Sequence, residues 1–132
     1  MKNQSGFTLI ELVIVIVLLG VLAAIAVPRF VNLEDDAQEA ALTASASAIT
    51  SAMNINYAGC AVNNHNAADA DCEPVDSCAD ASLVVNGGLG NFQVVADTAI
   101  AANNGSTLTT CELRRTGTTT PTRTFTAVRA GT

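Results

Sequence analysis

The sequence predicts an α+β fold: a long N-terminal α-helix packed at its C-terminal half on a small antiparallel β-sheet head. Three observations carry that expectation. An apolar run extends from Phe7 to Val27, an apolar stripe at helical spacing follows it, and short β-compatible segments separated by turn residues fill the C-terminal part.

The leader, Met1 to Gly6, is polar and carries Lys2, and the apolar run begins directly after it. From Phe7 to Val27 the only ionisable side chain is Glu11, and about 20 apolar residues suffice to span a hydrocarbon core as a helix. A conventional secretory signal is cut after its apolar region at a small-x-small site. Ala24 and Ala26 make a poor one, because Val27, Pro28 and Arg29 follow at once. The sharper polarity boundary is Gly6 to Phe7, and a cut there leaves the apolar helix on the mature chain. A lone carboxylate in such a helix is costly and calls for a partner, and the nearest strong candidate after cleavage is the new α-amino group at Phe7. A plain membrane anchor accounts for the apolar length. It does not account for the abrupt Gly-Phe junction together with a carboxylate one turn into the helix. A neutral Glu11 near the membrane face, without a part in assembly, is the alternative for that residue.

Gly20 and Pro28 lower helix continuity, one through backbone freedom and the other through a missing hydrogen-bond donor. Asn32 is a candidate cap for a resumed helix, and Glu34, Asp35, Asp36 and Glu39 suit its positive end. Leu42, Ala46, Ile49, Met53 and Tyr57 then recur three or four apart, so this half needs a globular partner. Gly59 and Cys60 are expected to end the helix, before a polar loop opened by Asn63, Asn64, His65 and Asn66.

Expected strands are Ser82 to Val85, Asn91 to Ala96, Thr107 to Arg114 and Thr122 to Arg129. Asn86-Gly87-Gly88, Asn103-Asn104-Gly105 and the stretch from Thr116 to Pro121 separate them. Arg123 and Arg129 flank the Phe125 and Ala127 face and suit a sheet edge or a neighbouring subunit. Fewer than 80 residues remain after Ala58, so one small domain is expected, and its four cysteines suit disulfides outside the cytoplasm.

Four cysteines allow three connectivities. A zinc site is the rival use, but no C-x-x-C pair occurs and the chain has a single histidine, His65. Asp69, Asp71, Glu73, Asp76 and Asp80 could attract calcium, yet they lack the glycine and downstream glutamate of an EF-hand, and Pro74 interrupts them. No metal or cofactor is assigned. The net charge is −6, and removal of Lys2 leaves five basic against twelve acidic side chains, which argues against broad attraction to nucleic acid. No catalytic arrangement is visible: no activated serine, no Cys-His pair in a useful context and no phosphate-cradling loop. The reading is a structural subunit, not an enzyme.

The string Gly6-Phe7-Thr8-Leu9-Ile10-Glu11-Leu12, continued through Val13 to Gly20 and on to Pro28, resembles the class III leader and N-terminal helix of type IV pilins. From Pro28 to Ala37 it is most similar to the mannose-sensitive haemagglutinin branch of the type IVa pilins. The resemblance implies a type IV pilin fold with a leader at 1–6, a long helix at 7–58 whose 7–27 part is the transmembrane and filament core, and a disulfide-stabilised head at 59–132. It implies cleavage between Gly6 and Phe7 by a membrane-embedded prepilin peptidase that also N-methylates Phe7. Phe7, Glu11, Gly20 and Pro28 become the assembly residues, with Glu11 meeting the Phe7 terminus of a neighbouring subunit and the Gly20 to Pro28 section extending or melting in the filament. A curved, continuous helix is the alternative there. Pilins also resemble this chain in a disulfide-bounded C-terminal region, and the expected bridges are Cys60 to Cys72, closing the loop after the helix, and Cys78 to Cys111, tying a later strand to that loop.

By the same resemblance the partners are identical subunits in a helical polymer, the prepilin peptidase and the inner-membrane assembly machinery. The precursor would lie in the inner membrane with its head outside the cytoplasm, and the assembled pilus would be extracellular. The expected role is a major pilin serving attachment and biofilm formation. A type II secretion pseudopilin and a minor pilin share the leader, Glu11 and the apolar helix, and stay open as alternatives.

Overall fold

The computed structural model describes residues 6–132, and the side chains of all of these but 31 and 32. Residues 1–5 of the expected leader, and the side chain of the expected cap Asn32, lie outside the described residues. In chain order the elements are helix α1 (Leu9–Val62), a 3₁₀ turn (Cys78–Asp80), a single helical turn α2 (Ala81–Val84), and strands β1 (Phe92–Val94), β2 (Thr107–Arg115) and β3 (Thr122–Val128). The chain divides into two units, Met1–Gln38 and Glu39–Thr132.

The first unit consists of the apolar portion of α1. Leucine, isoleucine and valine occupy every side of it and are exposed; Leu12, Ile16, Leu19 and Ile25 are 60, 57, 59 and 62 % accessible. A helix that is apolar all round requires an apolar medium or a partner. It is long and apolar enough to cross a membrane. Gly20 and Pro28 both lie inside the helix without interrupting it. The backbone at Asn32 is helical too, so the helix does not restart there.

The second unit is built on the remainder of α1. Leu42, Ala46, Ile49 and Met53 are buried, and they form one core with Val75, Cys78, Ile100, Cys111, Leu113, Phe125 and Ala127. Strand β2 lies between β1 and β3 in an antiparallel sheet, with Gln93 opposite Arg114 and Cys111 opposite Phe125. The register shifts between Leu108 and Cys111. Thr43, Ser47 and Ser51 on the outer helix face donate to carbonyls four residues back, at 3.0, 3.1 and 3.0 Å. This back-bonding satisfies the hydroxyls within the helix, at a slight cost to its ladder. Thr50 does the same to the Ala46 carbonyl at 3.1 Å, and its oxygen also accepts the Thr126 amide of β3 at 3.1 Å. The helix therefore satisfies an edge-strand donor that the sheet leaves over.

Two expectations are corrected. The helix does not stop at Gly59 and Cys60 but runs to Val62. Gly59 is needed for close approach: a Cβ there would sit 2.4 Å from the Asp71 carbonyl oxygen. The left-handed cap falls instead on Asn64 and His65, at φ 54° and 57°, with the His65 amide donating to the Cys60 carbonyl at 2.7 Å. The segment Ser82 to Val85 is likewise not a strand. Asp80 accepts from the amides of Asp76 and Ser77 at 2.9 Å each and from the Ser77 hydroxyl at 3.1 Å, which closes a turn that continues into α2. A four-residue segment with three apolar side chains carries no period of its own, so this local capping decided its conformation.

Candidate assembly site

Phe7 is 90 % accessible, and among the described residues nothing lies within 4 Å of where a side chain on Gly6 would start. Thr8 precedes the first helical residue, and Glu11 stands three residues further on. The Thr8 amide donates to Glu11 Oε2 at 2.9 Å and the Thr8 hydroxyl to the same oxygen at 2.8 Å. The Glu11 amide returns a bond to Thr8 Oγ1 at 3.3 Å.

This is a reciprocal capping box. It satisfies two of the helix's four orphan amides and places a carboxylate at the positive end of the dipole. Thr8 was not among the residues singled out from the sequence, although the Thr-x-x-Glu spacing before an apolar run is its signal. Glu11 therefore has hydrogen-bond partners inside its own chain. Gly20 has open space around it, and Pro28 sits within the apolar helix. Glu11, Gly20 and Pro28 thus lie along one helix, and Phe7 precedes its first residue by two positions.

In the second unit, Cys60 is joined to Cys72, with Cα atoms 4.5 Å apart, and Cys78 to Cys111, with Cα atoms 5.6 Å apart. Asn56 reinforces the first link, because its carboxamide donates to the Glu73 carbonyl at 2.8 Å and accepts the Glu73 amide at 2.9 Å. His65 is half-buried against the Tyr57 ring, centroids 5.4 Å apart, and accepts from the Gly131 amide at 3.5 Å. Arg123 pairs with Glu39 and donates to Thr43 Oγ1 at 3.1 Å, while Arg129 donates to Thr132 Oγ1 at 2.9 Å and to the Ile100 carbonyl at 3.2 Å. Both arginines fasten β3 and its exit within the unit. Among the described residues no group of three or more His, Cys, Asp or Glu is placed to hold a metal ion. A shallow groove is lined by Ile55, Val62, Leu83 and Val85, with Asp71 and Asn86 also at its surface.

A long helix followed by a small three-stranded antiparallel sheet is an α+β arrangement consistent with the pilin fold. The family description "Prokaryotic N-terminal methylation motif" matches residues 1–27. The chain is similar to a type IV narrow pilus major component of Thermus thermophilus, 58 % identical over 53 residues that cover 40 % of this chain and 46 % of the relative. It is similar also to the type IV major fimbrial protein of Dichelobacter nodosus, 62 % identical over 29 residues, 22 % of this chain and 19 % of the relative. A type II secretion system core protein G of Pseudomonas aeruginosa is 41 % identical over 54 residues, 41 % of this chain and 38 % of the relative. Each match spans less than half of the relative's own length. No solved structure matches. The relatives are fibre and secretion-system components rather than enzymes, and together with the motif they support a type IV pilin.

Proposed function

We propose that the chain is the major structural subunit of a type IVa pilus that serves surface attachment. A prepilin peptidase cuts between Gly6 and Phe7 and methylates the Phe7 amine. The subunit waits in the inner membrane with its disulfide-tied unit outside the cytoplasm, and the assembly machinery then adds it to a polymer of identical chains. The observation that carries this reading is the apolar part of α1, whose described leucine, isoleucine and valine side chains are exposed on every side. A membrane supplies that cover before assembly, and neighbouring copies supply it afterwards.

During assembly the Phe7 ammonium, which keeps its charge when methylated, meets Glu11 of a neighbouring subunit and sets the axial register while leucine, isoleucine and valine surfaces pack. Glu11 exchanges its bonds to Thr8 for that cation. Gly20 and Pro28 mark the section expected to extend or melt in the filament. The segment from Pro28 to Ala37 is the ground for placing the chain in the mannose-sensitive haemagglutinin branch.

The likeness to a type II secretion core protein supports a second reading, a periplasmic pseudopilin. Intact and peptide mass spectrometry on filaments sheared from cells separates the two. This chain as the dominant component, beginning at methylated Phe7, is the expected result. Its absence from sheared filaments with retention in the inner membrane would favour the pseudopilin or a minor pilin.

A further inference from the structure

The chain contains two Asn-Gly pairs, Asn86-Gly87 and Asn104-Gly105, and they are matched in local conformation. In the first, the Gly88 amide donates to the Val85 carbonyl at 2.8 Å, closing a turn with Asn86 and Gly87 at its centre. In the second, the Ser106 amide donates to the Asn103 carbonyl at 2.9 Å around Asn104 and Gly105. The central glycines have φ 86° and 87°, a conformation that glycine adopts without penalty.

The turns differ in what holds them. The Gly105 amide donates to the Arg129 carbonyl at 2.9 Å. The Asn104 carboxamide donates to the Thr132 carbonyl at 2.8 Å and accepts from the Thr132 amide and hydroxyl at 3.4 and 3.3 Å. Gly105 also lies under the Tyr57 ring: a Cβ there would sit 3.0 Å from its hydroxyl. Asn86 and Gly87 are exposed, open space surrounds Gly87, and among the described residues neither the Gly87 amide nor the Asn86 carboxamide has a hydrogen-bond partner.

We propose that Asn86 is a site of spontaneous deamidation in the folded protein, and that Asn104, its conformational twin, is protected by the tertiary structure. The Gly87 amide nitrogen loses its proton and attacks Cγ of Asn86. The N–Cγ bond forms, the Cγ–Nδ2 bond breaks and ammonia leaves, giving a five-membered succinimide. Water opens that ring at either carbonyl to yield isoaspartate or aspartate. One water is consumed, one ammonia is released, and nothing is oxidised or reduced. At Gly105 the same attack requires the nitrogen to give up Arg129 and the carboxamide to give up Thr132. Asn86 borders the groove of Ile55, Val62, Leu83 and Val85, so the product places a new negative charge beside an apolar surface.

The test incubates the full chain, folded and disulfide-intact in detergent, at mildly alkaline pH and body temperature, with peptide mapping over weeks. Deamidation at Asn86 is expected to run at least about tenfold ahead of Asn104, the ratio set by the bonds that Gly105 must first break. After reduction and unfolding in urea, the two rates should converge to within about twofold, since only local sequence then acts. Asn86→Gln should remove the product from that peptide and leave the rate at Asn104 unchanged. Equal rates in the folded chain, no product at Asn86, or a preference that persists after unfolding would each overturn the proposal.

Discussion

The part of α1 before Glu39 and the part after it share a backbone conformation and little else. Ahead of that boundary, side chains such as Leu18 and Leu22 stand 58 and 57 % accessible, and exposed apolar residues surround the helix. Beyond it, apolar residues narrow to the stripe of Leu42, Ala46, Ile49 and Met53, which is buried, and threonine and serine fill the other face. The same secondary structure is thus stabilised in two ways. One half takes its driving force from within the chain, and the other awaits a bilayer or other copies.

The largest expected effect breaks the comparison at its origin. On the proposed cleavage between Gly6 and Phe7, Gly6→Trp should abolish processing; intact mass measurement should find only the full precursor, and sheared filaments should lack the chain. Glu11→Ala comes next. It should leave cleavage and methylation at Phe7 intact while reducing filament yield to near zero. Normal filaments from this variant would reject the proposed pairing of Glu11 with the Phe7 terminus and leave the capping box as its whole role.

A smaller effect sharpens the comparison between the two halves. Met53→Ala should cost about 2 to 5 kcal/mol of unfolding free energy in the solubilised chain, since the side chain is fully buried. Leu18→Ala should cost nothing measurable in the same denaturation experiment and should instead lower filament yield. Equal losses of stability from the two would contradict the division. The smallest effect is expected from Arg123→Ala. Its pair with Glu39 is partly exposed, so about 0.2 to 1 kcal/mol should be lost, and the loss should shrink as salt is added.

Much of the architecture was legible because period and polarity report directly on burial. The stripe from Leu42 to Met53 announced a packed helix face, and the segments at β1, β2 and β3 lie where β-rich runs fall between turn residues. What failed was local and short. Ser82 to Val85 reads as a strand until Asp80 is seen holding the amides of Asp76 and Ser77. Gly59 reads as a helix end until the Asp71 carbonyl is found against it. The Thr8 and Glu11 box is legible in the Thr-x-x-Glu spacing that opens the apolar run.

By itself the sequence determined a polar-to-apolar junction at Gly6 and Phe7, a helix unable to bury its own surface, and a small acidic unit with four cysteines. These follow from composition and period, which need no knowledge of distant contacts. Tertiary structure alone decided which cysteine meets which, where β3 leans on Thr50, and why Asn104 is clamped while Asn86 is bare. Each of those depends on residues far apart in sequence being brought within a few ångströms, and no local pattern encodes that distance.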